Sequence, residues 1–185
     1  KGIPEQEFIG LKTTMKRNTE QWLQEREQGE HAWSMDPYDK RVIQQVQERA
    51  TFAHDNRVRT VVWIGIGGSG LGPKVIQEFL EGPDTIELIV LDTLDPSVLE
   101  MYLDIIDWRE AMIVIASKSG GTLEPMSLFF LCYEQLKQAR GDKAAEFVVG
   151  ITDPHQGTLR SYCVEQGIPM LPIPTAVGGR FSIFT

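Results

Sequence analysis

The chain has 185 residues, 42% of them hydrophobic, and a formal net charge of −8 at pH 7. This size and composition predict one folded core with an appendage, and the acidic balance excludes a general nucleic-acid or anionic-membrane surface, so a phosphate site must be built locally. The apolar runs are too short to cross a bilayer and the N-terminus has no signal-peptide pattern, which predicts a cytoplasmic protein.

The first third of the chain predicts helices. Apolar residues recur at three- and four-residue spacings from Glu5 to about Gly29, where the glycine is expected to end the first helix. A turn at Asp36-Pro37 precedes a second helix with its own apolar stripe. We expect residues 1–58 to form a helical segment that packs on the domain that follows.

From Thr60 onward, short β-branched runs alternate with helical segments. The runs cover residues 60–65, 86–91, 111–116, 146–151 and 168–173, and the helical segments centre on 72–81, 96–107, 123–139 and 155–166. This alternation predicts an α/β fold, a doubly wound parallel sheet of five strands in the flavodoxin-like class, over residues 59–185. Ligands of such sheets bind beyond the carboxyl ends of the strands, which directs attention to the loops after strands one and three.

The loop after the first strand reads 65-GIGGSGLGP-73 and allows more than one ligand. Gly65, Gly67 and Gly70, with Asp92 ending the next strand, satisfy a dinucleotide fingerprint. A nucleoside-triphosphate loop is excluded because Pro73 stands where that motif requires lysine. We expect Pro73 to lie in the first turn of the helix that follows the loop. The more general interpretation is an anion site, in which backbone N–H groups at the start of a helix converge on a phosphate.

The loop after the third strand, 116-ASKSGGTLEP-125, is rich in hydroxyl groups and glycine. Ser117, Ser119 and Thr122 supply hydroxyls, and Thr122 is placed to cap the following helix, with Pro125 in its first turn. Hydroxyl and amide donors around one helix N-terminus suit a monophosphate, whose oxygens accept several hydrogen bonds at once. Lys118 adds a charge or is a solvated side chain.

Clustered metal ligands are missing from the sequence pattern. Cys132 and Cys163 are isolated, match no metal spacing and are expected to be small buried hydrophobes. His31, His54 and His155 are scattered as well. We therefore predict no metal site.

Three stretches together resemble a known family. 65-GIGGSGLGP-73, 116-ASKSGGTLEP-125 and 177-VGGRFS-182 are similar, in this order, to the signatures of the sugar-isomerase (SIS) phosphosugar-binding domain, and more narrowly of the glucose-6-phosphate isomerase family. The helical lead-in with 33-WSMDP-37 is weakly similar to the family's N-terminal region. Gly120 and Gly121 stand where the family's second loop has further threonines or an aromatic residue.

The resemblance implies a set of site residues. The sugar-phosphate site would comprise Ser69, Ser117, Lys118, Ser119 and Thr122, with the backbone of Gly68 near the substrate. Arg180 matches the arginine that stabilises the negative charge of a cis-enediolate, a role suited to a guanidinium that stays protonated. Glu124 matches a glutamate close to the family's active site, and it is equally placed as a helix-start residue favoured by the helix dipole.

The resemblance also implies an activity, the interconversion of glucose 6-phosphate and fructose 6-phosphate in glycolysis and gluconeogenesis, by a homodimer without cofactor or metal. The chain opens without methionine and stops at an apolar run, so we expect an N-terminal portion of the enzyme that binds sugar phosphate but is inactive. The family's general base, and the histidine and lysine for ring opening, would follow Thr185.

Two other functions remain open on the sequence. One is a stand-alone SIS phosphosugar-binding regulatory module, for which Arg180 would have no essential role. The other is a nicotinamide-dependent dehydrogenase, which rests on the dinucleotide fingerprint and on Asp92, and for which Asp92→Ala should abolish dinucleotide binding.

Overall fold

The computed structural model describes residues 2–31, 34, 39–80, 82, 85–175 and 177–179. The helices are α1 (Glu5–Glu27), α2 (Lys40–Asp55), α3 (Gly68–Leu80), α4 (Pro96–Ile105), α5 (Leu123–Arg140) and α6 (Thr158–Gln166), and a 3₁₀ helix spans Gly141–Phe147. The strands are β1 (Thr60–Ile64), β2 (Glu87–Leu91), β3 (Ala111–Ser117), β4 (Val148–Thr152) and β5 (Met170–Pro172). Strands and helices therefore alternate from β1 onward, as predicted.

The sheet has five strands in the order β2-β1-β3-β4-β5, and every pairing is parallel. This confirms the doubly wound α/β prediction. The strand order reverses between β1 and β3, because the chain moves outward from β1 to β2 and then returns across β1 to β3. In sheets of this order the ligand crevice lies at that reversal, beyond the carboxyl ends of the strands.

The core is formed where α5 covers the centre of the sheet. Leu128, Phe129, Cys132 and Leu136 on α5 have no exposed surface, and β3 is buried along nearly its whole length. Burying a leucine or phenylalanine side chain stabilises a fold by about 1.5–3 kcal/mol, so this contact is a large part of the driving force. Strand β3 lies at the centre of the sheet and is covered by α5, so the loop that follows it begins at a well-packed residue.

The two N-terminal helices differ in their contact with the domain. Helix α2 begins where the Asp39 carboxylate accepts a hydrogen bond from the Arg41 backbone N–H, and it contributes Ala53 to the core. Within α1, whose residues are all described, none is buried, and apolar side chains such as Phe8 are exposed. Helix α2 therefore contributes to the core of the sheet domain, whereas α1, in which Trp22 is half-buried, contributes no residue to it.

Candidate functional site at the carboxyl edge of the sheet

The loops after β1 and β3 lie side by side. Strands β1 and β3 are neighbours, with Ile64 paired to Ile115, and neighbouring strands are about 4.8 Å apart. We call residues 65–70 the glycine loop and residues 117–122 the serine loop. Each loop runs directly into the N-terminus of a helix, α3 and α5 respectively, so backbone N–H groups of both helix starts are directed to the same edge of the sheet.

The glycines of the glycine loop are required first by the chain's own packing. A Cβ atom on Gly70 would lie 2.3 Å from the Gly65 carbonyl oxygen, and one on Gly65 would lie 2.5 Å from the Ser69 carbonyl oxygen. Gly67 has φ +59°, a conformation that side chains disfavour. The turn from β1 into α3 is therefore tight enough to demand glycine whether or not a ligand is bound.

Pro73 lies in the second turn of α3, one turn later than the sequence predicted. The helix begins at Gly68, several residues before the predicted start, and Pro73 has no N–H to donate to the carbonyl of Ser69 four residues earlier. The indole Nε1 of Trp63 donates to that carbonyl at 2.8 Å instead. A side chain of β1 thus replaces the missing helical hydrogen bond and fixes the start of α3.

Asp92, which carries the dinucleotide interpretation, is engaged in an ion pair. Its carboxylate lies 2.7 Å from the Lys74 ammonium group on α3, and both side chains are partly exposed. The acidic residue of a dinucleotide site hydrogen-bonds the ribose hydroxyls. Here its carboxylate is already neutralised by a lysine on the helix that starts at the glycine loop.

The serine loop gathers hydroxyl groups at the start of α5. Ser117 is buried at the end of β3, whereas Ser119 and Thr122 are exposed and their hydroxyl oxygens lie 3.2 Å apart. Thr122 occupies the N-cap position, as predicted, but its side chain makes no capping hydrogen bond. The Gly121 N–H donates to the Ser119 hydroxyl over 3.4 Å, so the loop turns its donors toward one another.

The charged residues of the serine loop have different environments. The Lys118 ammonium group donates to the Thr175 carbonyl at 2.9 Å, which ties the loop to the segment after β5. Glu124 is exposed in the first turn of α5, where a negative charge is favoured by the helix dipole. Ser69 is buried in the first turn of α3, and Gly68 begins that helix. Arg180 lies outside the described residues.

Sequence reasoning missed a segment that supports the serine loop from behind. Just after β4, the Asp153 N–H donates to the Lys118 carbonyl at 3.1 Å, and in the first turn of α6 the Leu159 N–H donates to the Gly120 carbonyl at 2.8 Å. A Cβ on Gly157 would lie 2.6 Å from the Ser119 carbonyl oxygen. The turn residues in 152-TDPHQG-157 mark a loop, but nothing local shows that it packs under the serine loop.

The cysteines, His31 and His54 lie away from this edge, whereas His155 lies in the segment behind the serine loop, where its N–H donates to the Asp153 carboxylate. Cys132 and Cys163 are buried, as expected, and burial raises the pKa of the Cys132 thiol to about 12 and that of Cys163 to about 11. His31 hydrogen-bonds the Glu25 carboxylate at 3.0 Å, which holds the pKa of Glu25 below its usual value. With Glu30, these two form the one group of three potential metal ligands among the described residues, near the end of α1.

Sequence comparisons identify relatives over most of the chain. A family model described as phosphoglucose isomerase matches residues 31–185. A glucose-6-phosphate isomerase of Carboxydothermus hydrogenoformans is 31% identical over 173 residues, 88% of this chain and 37% of the relative. One of Thermus thermophilus is 34% identical over 125 residues, 68% of this chain and 30% of the relative. The chain thus spans roughly a third of the length of these relatives.

Solved structures agree with the sequence relatives. A hypothetical protein of Thermus thermophilus superposes on 96% of this chain and 42% of its own, with a TM-score of 0.83 and 28% identity. A glucose-6-phosphate isomerase of Chlamydia trachomatis covers 75% of this chain and 27% of its own, with a TM-score of 0.62 and 29% identity. Among the described residues, no helix is long and apolar enough to span a membrane.

Proposed function

The chain belongs to the phosphoglucose isomerase family, and from that premise we propose that it is the N-terminal part of a glucose-6-phosphate isomerase and contributes the phosphate-binding half of the active site. The whole enzyme would interconvert glucose 6-phosphate and fructose 6-phosphate through a cis-enediolate in glycolysis and gluconeogenesis. We further propose that it acts in the cytoplasm as a homodimer and that the 185-residue chain binds sugar phosphate without turning it over.

The observation that carries this proposal is the meeting of the two loops at the reversal of strand order. Hydroxyl groups of the serine loop and the N-termini of α3 and α5 converge on one edge of a chain whose formal net charge is −8. A phosphate dianion accepts several hydrogen bonds at once and is favoured at a helix N-terminus, so this edge suits it although the protein is acidic.

In the proposed reaction, this chain's own residues hold the phosphate and one cation. The hydroxyls of Ser117, Ser119 and Thr122 would donate to phosphate oxygens, with Ser69 and the Gly68 backbone on the opposite side. Arg180 would lie against the enediolate oxygens, where a fixed positive charge stabilises the intermediate without accepting its proton. Lys118 would leave the Thr175 carbonyl, a single exposed hydrogen bond, to reach the phosphate.

The experiment that tests the proposal is a calorimetric titration of the chain with fructose 6-phosphate and, separately, with NAD. We expect saturable heat from the sugar phosphate and none from NAD. The variant Ser117→Ala/Thr122→Ala should abolish that heat, because it removes two of the hydroxyl donors. A matched variant, Thr19→Ala/Ser127→Ala, loses two exposed hydroxyls on α1 and α5 and should bind normally.

NAD binding that survives in Ser117→Ala/Thr122→Ala would overturn the isomerase proposal in favour of a dehydrogenase. If neither ligand gives a heat of binding with the parent chain, that result would contradict the proposal that this part binds sugar phosphate by itself. If both double variants retain sugar-phosphate binding, the serine loop is not part of the binding site.

A further inference from the structure

The hydroxyl group of Thr152 is buried without a hydrogen-bond partner. Thr152 ends β4 and is 1% exposed, and its Oγ1 is one of four buried side-chain polar atoms in the described part of the chain for which the structure shows no partner. Threonine hydroxyls in protein interiors are nearly always paired, because an unpaired buried donor costs free energy. The Thr152 hydroxyl is therefore available to donate to an acceptor at this edge of the sheet.

This hydroxyl lies directly beneath the serine loop. Thr152 is the register partner of Ser117, so the two side chains extend from the same face of neighbouring strands about 4.8 Å apart. The position of a Cβ on Gly120 is 2.9 Å from the Thr152 Oγ1 atom. The hydroxyl therefore points toward the turn of the loop and away from the rest of the core.

Three carbonyl oxygens of the serine loop already accept hydrogen bonds from backbone N–H groups. The carbonyl oxygens of Ser117, Lys118 and Gly120 accept hydrogen bonds from the N–H groups of Gly120, Asp153 and Leu159 respectively. Ser117, the register partner of Thr152, carries a hydroxyl oxygen that can accept a hydrogen bond even when its own hydrogen is donated elsewhere.

We propose that Thr152 is a positioning residue for the anion site: its hydroxyl donates to the Ser117 Oγ atom when Ser117 in turn donates its hydrogen to a bound phosphate. The inference rests on the proposed function and deepens it. In the bound loop the hydrogen from Thr152 occupies a lone pair of Ser117 and directs the Ser117 hydrogen to the anion.

A purely structural role for Thr152 predicts a different effect on phosphate affinity. Valine has the shape of threonine and lacks the hydroxyl, so Thr152→Val removes an unpaired buried polar atom and should leave the melting temperature of the free protein unchanged or raised. If Thr152 only fills space, phosphate affinity also stays unchanged. If Thr152 positions Ser117, phosphate affinity falls while stability does not.

The test is a titration of the 185-residue chain with inorganic phosphate and with fructose 6-phosphate, together with a thermal melt without ligand. We expect Thr152→Val to weaken binding about five- to tenfold, the effect of losing one hydrogen bond between two neutral hydroxyl groups. Thr152→Ser keeps the hydroxyl and should bind within about twofold of the parent chain. Thr60→Val is the matched control, because Thr60 is also buried but begins β1 at the opposite edge and donates to Glu87.

A double-mutant cycle with Ser117→Ala shows whether Thr152 acts through Ser117. In a Ser117→Ala background, Thr152→Val should weaken phosphate binding by less than about twofold, because the acceptor is gone. Equal effects in both backgrounds would overturn the inference, as would parent-like phosphate affinity in Thr152→Val. Those results leave the proposed function standing, whereas a parent chain that binds neither phosphate nor fructose 6-phosphate overturns the inference together with the proposal that this chain binds sugar phosphate by itself.

Discussion

Replacing Gly70 by alanine should destabilise the fold through the backbone of the glycine loop. An added Cβ would lie 2.3 Å from the Gly65 carbonyl oxygen, and because Cβ atoms are not found within 3.0 Å of such neighbours, the turn must open by at least 0.7 Å. The obstacle is backbone, which cannot rotate away as a side chain does.

The size of the effect follows from two opposing terms. Overpacking a tight site costs about 1–3 kcal/mol, and a backbone obstacle places Gly70→Ala near the upper end. The change from glycine to alanine within α3 stabilises the helix by about 1 kcal/mol, because alanine has the higher helix propensity. We expect a net loss of about 2 kcal/mol in the free energy of unfolding, which lowers the melting temperature of a chain of this length by roughly 4–8 °C.

Thermal and urea unfolding followed by circular dichroism measure this loss. Gly10→Ala is the matched control, since Gly10 also lies within a helix, α1, and a Cβ there meets nothing within 4 Å. It should leave the main unfolding transition unchanged, because α1 contains no buried residue. A Gly70→Ala variant that melts at or above the parent temperature would refute the close contact between Gly65 and Gly70.

Three further predictions concern the serine loop, the thiols and a helix cap. Gly120→Ala should lower stability by about 1–2 kcal/mol, because φ is +62° there, whereas Gly121→Ala should change the urea midpoint little. Cys132 and Cys163 should resist alkylation at pH 8 until urea unfolds the chain, and labelling in the folded state would contradict this. Because burial raises the pKa of both thiols above the ordinary value of 9.0, the folded state retains protons that the unfolded state loses as pH rises from 9.0 toward 11, so the free energy of unfolding should fall over that range. Asp95→Ala should cost about 1 kcal/mol in a urea melt by removing the N-cap of α4, and Asp95→Asn should not.

The predictable part of this protein depends on local patterns. Alternating β-branched runs and helical periodicity indicated each strand and α-helix that the structure describes from Thr60 onward, but not the 3₁₀ helix at Gly141–Phe147. Strands of a parallel sheet are buried on both faces, so each one is recognisable from its own apolar run. Turn chemistry marked the glycine and serine loops, and the rule that ligands bind at the carboxyl edge of such sheets singled out both of them. The Pro73 position in α3 was misjudged because a proline usually marks a first turn.

The sequence by itself determined the succession of strands and helices, the two loops and the chemistry of their hydrogen-bond donors. Each of these features depends on residues that are close to one another in the sequence. Only the tertiary structure decided that Trp63 replaces the hydrogen bond lost at Pro73, that Lys74 pairs with Asp92, and that the segment from Thr152 to Leu159 supports the serine loop. It also decided that no residue of α1 is fully buried. These contacts join residues in different elements of the fold, and the spacing of residues along the chain does not predict which elements pack together.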